Sequence, residues 1–135
     1  GLLADLAGII AGIVFAYLFF GSSANGLSDK ETVSQLGSMW ENREPAKAIN
    51  ILEDHIFIYD QSFDTVCTNK EEVIELLRSD LAENGAIQMD WAKEINEGKS
   101  TYILLKMERE NKGRTYKVKV KNGKIRSIEC LTTFN

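Results

Sequence analysis

Strongly apolar side chains run almost unbroken from Leu2 to Phe20, with Asp5 the one charged interruption, and beyond Gly21 the chain reads as a water-facing domain. At about 1.5 Å per helical residue the first stretch is about 28 Å long, close to the roughly 30 Å of a bilayer's hydrocarbon core, so a transmembrane helix is predicted there. Ala4, Gly8, Gly12 and Ala16 fall every four residues and make a stripe of small side chains suited to close helix packing. No basic cluster precedes Asp5, which argues against a secretory leader, although Ser22-Ser23-Ala24 has the small residues of a cleavage site. Gly21 to Leu27 reads as a short linker.

From Ser28 the apolar positions acquire regular periods. Ser28 with Glu31 forms a capping box before Val33, Leu36, Met39 and Trp40 at helical spacing, and Pro45 opens a second helix carrying Ile49 and Leu52. His55 to Asp60 is apolar on both faces and predicts a strand covered on both sides. Asn69 with Glu72 caps a third helix, with Val73, Leu76, Leu77 and Leu81 on its apolar face and Gly85 as its stop. After Ala86 the period becomes two, giving a strand through Ile87, Met89 and Trp91, then strands over Tyr102–Glu110, Thr115–Lys121 and Lys124–Thr132. Lys112-Gly113 and Asn122-Gly123 read as two-residue hairpin loops. The first would set Met107 beside Val118, Leu105 beside Val120 and Glu108 beside Lys117, leaving one face apolar and the other charged.

Two helices, a strand, a helix and a four-strand antiparallel meander over Ser28 to Asn135 resemble the cone-shaped nuclear-transport-factor-2-like fold of SnoaL-like polyketide cyclases and ketosteroid isomerases. The likeness is carried by the region of Trp40, by Asp54-His55-Ile56-Phe57-Ile58-Tyr59, by Asn69-Lys70-Glu71-Glu72-Val73 and by Lys121-Asn122-Gly123-Lys124-Ile125. It implies an α+β domain of three helices packed on a curved antiparallel sheet, a cone whose mouth holds a small molecule, and pairing of subunits through the outer sheet face. Residues 4–12, Ala-Asp-Leu-Ala-Gly-Ile-Ile-Ala-Gly, resemble the last core helix of rhomboid intramembrane proteases, with Asp5 where that family has its catalytic histidine. That second resemblance implies the C-terminal piece of a proteolytically inactive rhomboid-like protein, with the domain from Ser28 on the cytoplasmic side.

Composition narrows the chemistry. The 135 residues carry 16 basic and 20 acidic side chains, for a net charge of −4, which lacks the positive field of a general nucleic-acid binder. One histidine and two distant cysteines, Cys67 and Cys130, provide no metal-ligand spacing, so no metal or cofactor is expected and both thiols are read as core residues. Between Lys112 and Arg126 lie seven basic residues and no acidic one, and Lys117, Lys119, Lys121, Lys124 and Arg126 are candidates for an anionic surface such as lipid headgroups, against the alternative of a solvated strand edge.

Two aspartates are candidate general bases. The resemblance to isomerases implies an aspartate near the end of the first strand, where Asp60 falls. Asp90 depends on one turn: a two-residue loop at Glu97-Gly98 pairs Trp91 with Leu104 and turns Asp90 into the cone, whereas a bulged loop sets Trp91 opposite Leu105 and Met89 opposite Met107 with Asp90 exposed. The bulged form is preferred, because an unpaired carboxylate in the cone costs roughly several kcal/mol. Trp40, Tyr59 and Trp91, with Leu105, Met107 and Val118, are then the candidate lining of a ligand pocket. No nucleophile elbow accompanies His55. The expectation is a membrane-tethered, non-catalytic module that binds a small apolar or aromatic ligand or a protein; the alternatives are an isomerase or cyclase using Asp60 or Asp90, and a homodimerisation domain pairing through Tyr102 and Leu104.

Overall fold

The computed structural model describes residues 27–132, so the apolar segment of residues 2–20 and the expectations attached to it lie outside the described residues. Helix α1 (Asp29–Glu41) begins at the predicted capping box: Ser28 Oγ accepts from Glu31 N at 3.1 Å and Glu31 Oε1 accepts from Ser28 N at 2.9 Å. It buries Val33, Leu36, Gly37 and Trp40. Pro45–Asn50 forms a single 3-10 segment rather than a full helix, because only six residues separate Pro45 from the strand β1 (Leu52–Tyr59). A short strand β2 (Thr65–Cys67) follows, then helix α2 (Lys70–Asn84), capped by Asn69 and ended at Gly85 with φ 83°. Four strands complete the chain: β3 (Gln88–Glu97), β4 (Ser100–Arg109), β5 (Lys112–Lys121) and β6 (Lys124–Cys130).

The six strands form one sheet in the order β2-β1-β6-β5-β4-β3, antiparallel except where β1 runs parallel to β6. The last four are the predicted meander; β2 has no apolar period to announce it in three residues. The helices pack on one face, against Ile103, Leu105, Met107, Tyr116, Val118, Ile125 and Ile128, all buried. Gly37 marks the tightest approach of α1 to the sheet, since a Cβ there would stand 2.5 Å from Met89 Sδ and 3.3 Å from Leu105 Cδ1. Among the described residues no helix lies over the opposite face. Phe57 is exposed and stacks on Tyr59 at 6.1 Å between ring centres, so the described residues cover β1 on one side only, where the sequence predicts a strand buried on both faces.

Two registers differ from expectation. The β4–β5 turn is made by Glu110 and Asn111, both with positive φ, and not by Lys112-Gly113. Gly113 is instead a strand residue over which the stem of Lys106 lies, where a Cβ would meet Lys106 Cε at 2.5 Å. The observed partners are Ile103 with Val118, Leu105 with Tyr116 and Met107 with Arg114. Because the slip is by an even number of residues, the inward set survives unchanged. The β3–β4 loop is the two-residue Gly98-Lys99, and the irregularity lies between Met89 and Trp91. Met89 does oppose Met107, but Trp91 opposes Lys106 and points away from the helices. Asp90, at the bulge, pairs with Lys106 at 3.5 Å.

Candidate ligand cavity

Curling of the sheet around α1 and α2 leaves a cavity of about 290 Å³. Its walls are mainly apolar: Leu36 and Trp40 come from α1, Leu76 and Leu77 from α2, and Ile58, Leu105 and Ile128 from the sheet. The two-residue period of β5 that buries Val120 and Val118 carries on through Tyr116 to Arg114, so both polar ends project inward and line the same space. Trp40 and Tyr116 lie side by side, ring centres 5.5 Å apart. Arg114 Nη1 donates to Tyr116 Oη at 3.3 Å. Burial pushes the Tyr116 hydroxyl well above the usual tyrosine range, so it stays protonated at neutral pH. Trp40 is buried, and its indole Nε1 has no hydrogen-bond partner among the described residues.

Acidic groups border the cavity without dominating it. Asp80 of α2 is held by Arg109 at the end of β4, Nη2 to Oδ2 at 2.7 Å, with both side chains largely buried. Arg109 also donates to the carbonyls of Gly85 and Ala86, each at 3.3 Å, and so ties the end of α2 to the sheet. Asp60 stands at the mouth after β1, where its Oδ1 accepts from Ser62 N at 2.8 Å and Asp64 N at 3.0 Å and so shapes the turn into β2. Cys130 also lines the cavity, and burial pushes its thiol up, as it does for the buried Cys67.

Of the residues singled out from sequence, Trp40, Tyr59 and Leu105 meet at this cavity, with Asp60 at its edge. Met107 and Val118 face the same side but are packed into the core and do not line the opening. Trp91 stands on the far face of the sheet, its ring 5.4 Å from Lys93 Nζ, because the bulge at Asp90 reverses the alternation before the strand reaches it. The same bulge takes Asp90 out of the cavity. Arg114 belongs to the basic run in sequence, yet the alternation from Val120 back through Tyr116 assigns it to the inside.

The remaining basic residues are on or near the outer face. Lys117 is paired with Glu97, whose hydrogen bond raises its pKa, and Lys119 donates to Thr101 O at 3.2 Å. Both ammonium groups flank Tyr102, at 4.3 and 5.0 Å from its ring centre. Lys121, Lys124 and Arg126 are exposed. Lys106 faces Thr115 across the strands, so the like-charge pair with Lys119 required by the expected register does not form.

No known protein-family profile matches the sequence, and no curated protein is similar to it. Solved structures do match. A cystatin-fold protein from Novosphingobium aromaticivorans superposes with a TM-score of 0.65 at 14% identity, over 79% of this chain and 100% of its own. A nuclear-transport-factor-2-like protein from Cytophaga hutchinsonii gives 0.60 at 10% identity, over 82% and 93%. A protein with a ketosteroid-isomerase-like fold from Catenulispora acidiphila, in complex with trimethylamine, gives 0.60 at 11% identity, over 78% and 88%. The rhomboid resemblance of the N-terminal segment is not shown by these comparisons. Helices on one face of a curved antiparallel sheet, closed into a cone with Trp40, Tyr116 and Arg114 inside, together with these superpositions, identify the nuclear-transport-factor-2-like, or cystatin-like, α+β fold.

Proposed function

We propose that the cone cavity is the binding site for a small, largely apolar molecule, and that the apolar segment from Leu2 to Phe20 holds this receptor domain at a membrane. The carrying observation is the cavity itself: a mostly hydrocarbon-walled hollow with a few polar groups is the usual form of a small-molecule site. Its volume equals that of about ten liquid waters, which suits a ligand of roughly ten non-hydrogen atoms. The trimethylamine complex of the Catenulispora protein supports the reading by showing a small organic molecule associated with a related cone. Binding alone requires no reacting group. A proton-transfer reading would rest on Asp60 alone of the two candidate aspartates, and Asp60 already spends Oδ1 on two backbone N–H groups.

Hydrocinnamyl alcohol, a phenyl ring on a three-carbon chain, is a suitable probe. Calorimetric titration of the chain is expected to give saturable binding, and Cys130→Trp, which places a large ring in the cavity wall, is expected to remove it. Equal binding by the plugged variant would place the probe elsewhere. Tethering has its own expectation: on detergent phase separation the full chain partitions into the detergent and a fragment beginning at Ser28 remains in the aqueous phase. Aqueous partitioning of both would remove the membrane anchor from the proposal.

A further inference from the structure

The geometry points to a ligand that carries a carboxylate, bound with its hydrocarbon part against Leu36, Leu77 and Leu105 and its oxygens toward Trp40, Tyr116 and Arg114; this rests on the cone being a ligand site. Burying an indole N–H without an acceptor is unfavourable, and Trp40 Nε1, which has none among the described residues, is a donor suited to a ligand oxygen. Tyr116 is the second donor. Its oxygen lone pair already receives Arg114 Nη1, so the hydroxyl proton is what it has to offer, and burial keeps that proton in place. Arg114 adds a permanent positive charge, which selects an anion over a neutral carbonyl.

Among the described residues the two carboxylates that line the cavity are already engaged: Asp80 is paired with Arg109 through a short, largely buried contact, and Asp60 is turned to the backbone amides of its own loop. The cavity thus sets the donors of Trp40, Tyr116 and Arg114 among mainly hydrocarbon walls, which matches an aryl or alkyl monocarboxylate of about ten to twelve non-hydrogen atoms. The aromatic rings of Trp40 and Tyr116 could instead stack on an organic cation, and the charge of Arg114 is the reason to expect the opposite sign.

The test compares three probes of one shape on the full chain by calorimetry: hydrocinnamate, hydrocinnamyl alcohol and hydrocinnamylamine. Hydrocinnamate is expected to bind about tenfold tighter than either of the others, in line with hydrogen bonds to a charged acceptor. Arg114→Gln removes the charge and should bring the acid-to-alcohol ratio near unity, whereas Trp40→Phe keeps the ring, removes the N–H and should lower that ratio about threefold. If Arg114→Gln does not fold, Trp40→Phe alone decides. Binding of alcohol or amine as tight as the acid, or an acid-to-alcohol ratio unchanged by Trp40→Phe, overturns the carboxylate while leaving a ligand cavity standing. Failure of all three probes to saturate overturns the cavity and the carboxylate together.

Discussion

Asp80→Ala is expected to lower the unfolding free energy by about 3 kcal/mol in urea titrations, with the denaturant slope unchanged. The ion pair it breaks is not an exposed one: the Asp80 and Arg109 side chains retain 16% and 10% of their accessible surface. Removing the carboxylate takes the Asp80 charge away from a guanidinium that water reaches poorly, and that penalty exceeds the modest net value of forming such a pair. Location adds to the effect. Asp80 lies in the last turns of α2, while Arg109 reaches past it to the carbonyls of Gly85 and Ala86, satisfying groups at a helix end where a positive charge is favourable. Arg109→Lys keeps the charge but not the fork, so about 1–2 kcal/mol should be lost there. A loss below about 1 kcal/mol for Asp80→Ala would mean that the sheet and α2 hold together without this clamp.

Truncations in the sheet are expected to rank by whether the side chain faces packed atoms or the hollow. Met107 has no accessible surface, and Met107→Ala should cost about 3–4 kcal/mol, within the usual range for deleting a buried Met. Leu105 is equally inaccessible by area at 1% but borders the cavity, so some of its methyl surface already lacks packed neighbours. Its loss forfeits fewer dispersion contacts, and Leu105→Ala should cost nearer to about 2 kcal/mol. The order of the two, read from urea midpoints, is the informative quantity. The reverse order would indicate that side chains close over the space beside Leu105.

Elements with a long, regular period were legible in the sequence. Both α-helices, their caps at Ser28 and Asn69, and the strands of the meander follow from spacing alone, because each buries one face against the same core. Strand partners were less legible. Glycine at position 113 suggested the turn, but Asn111 and Glu110 adopt the positive φ, and the glycine serves to let the Lys106 stem cross the strand. That error was harmless for facing, since it moved the register by an even step. The bulge at Asp90 was not harmless: one extra residue rotates Trp91 to the far face, and its position is set by the Asp90–Lys106 pair and by Glu41 accepting from Met89 N at 3.0 Å, contacts between segments that no local pattern carries.

The candidate site divides in the same way. Trp40 and Leu105 were found because they sit on apolar stripes. Tyr116 and Arg114 are on the stripe as well, but a charged residue in a run of seven basic ones reads as surface until its parity is followed inward from Val118 and Val120. The inward placement of Tyr116 and Arg114 is thus encoded by alternation in β5, while the charge balance of the cavity depends on Asp80 and Arg109 meeting across 29 residues of sequence.

Intermolecular nuclear Overhauser contacts from the phenyl ring of bound hydrocinnamyl alcohol locate the ligand most directly. Contacts to methyl groups of Leu36, Ile58, Leu77, Leu105 and Ile128 are expected, with none to Leu104 or Ile95 on the outer sheet face. Contacts confined to Leu104 and Ile95, with the inner methyls silent, would contradict a cone that opens to receive a small molecule.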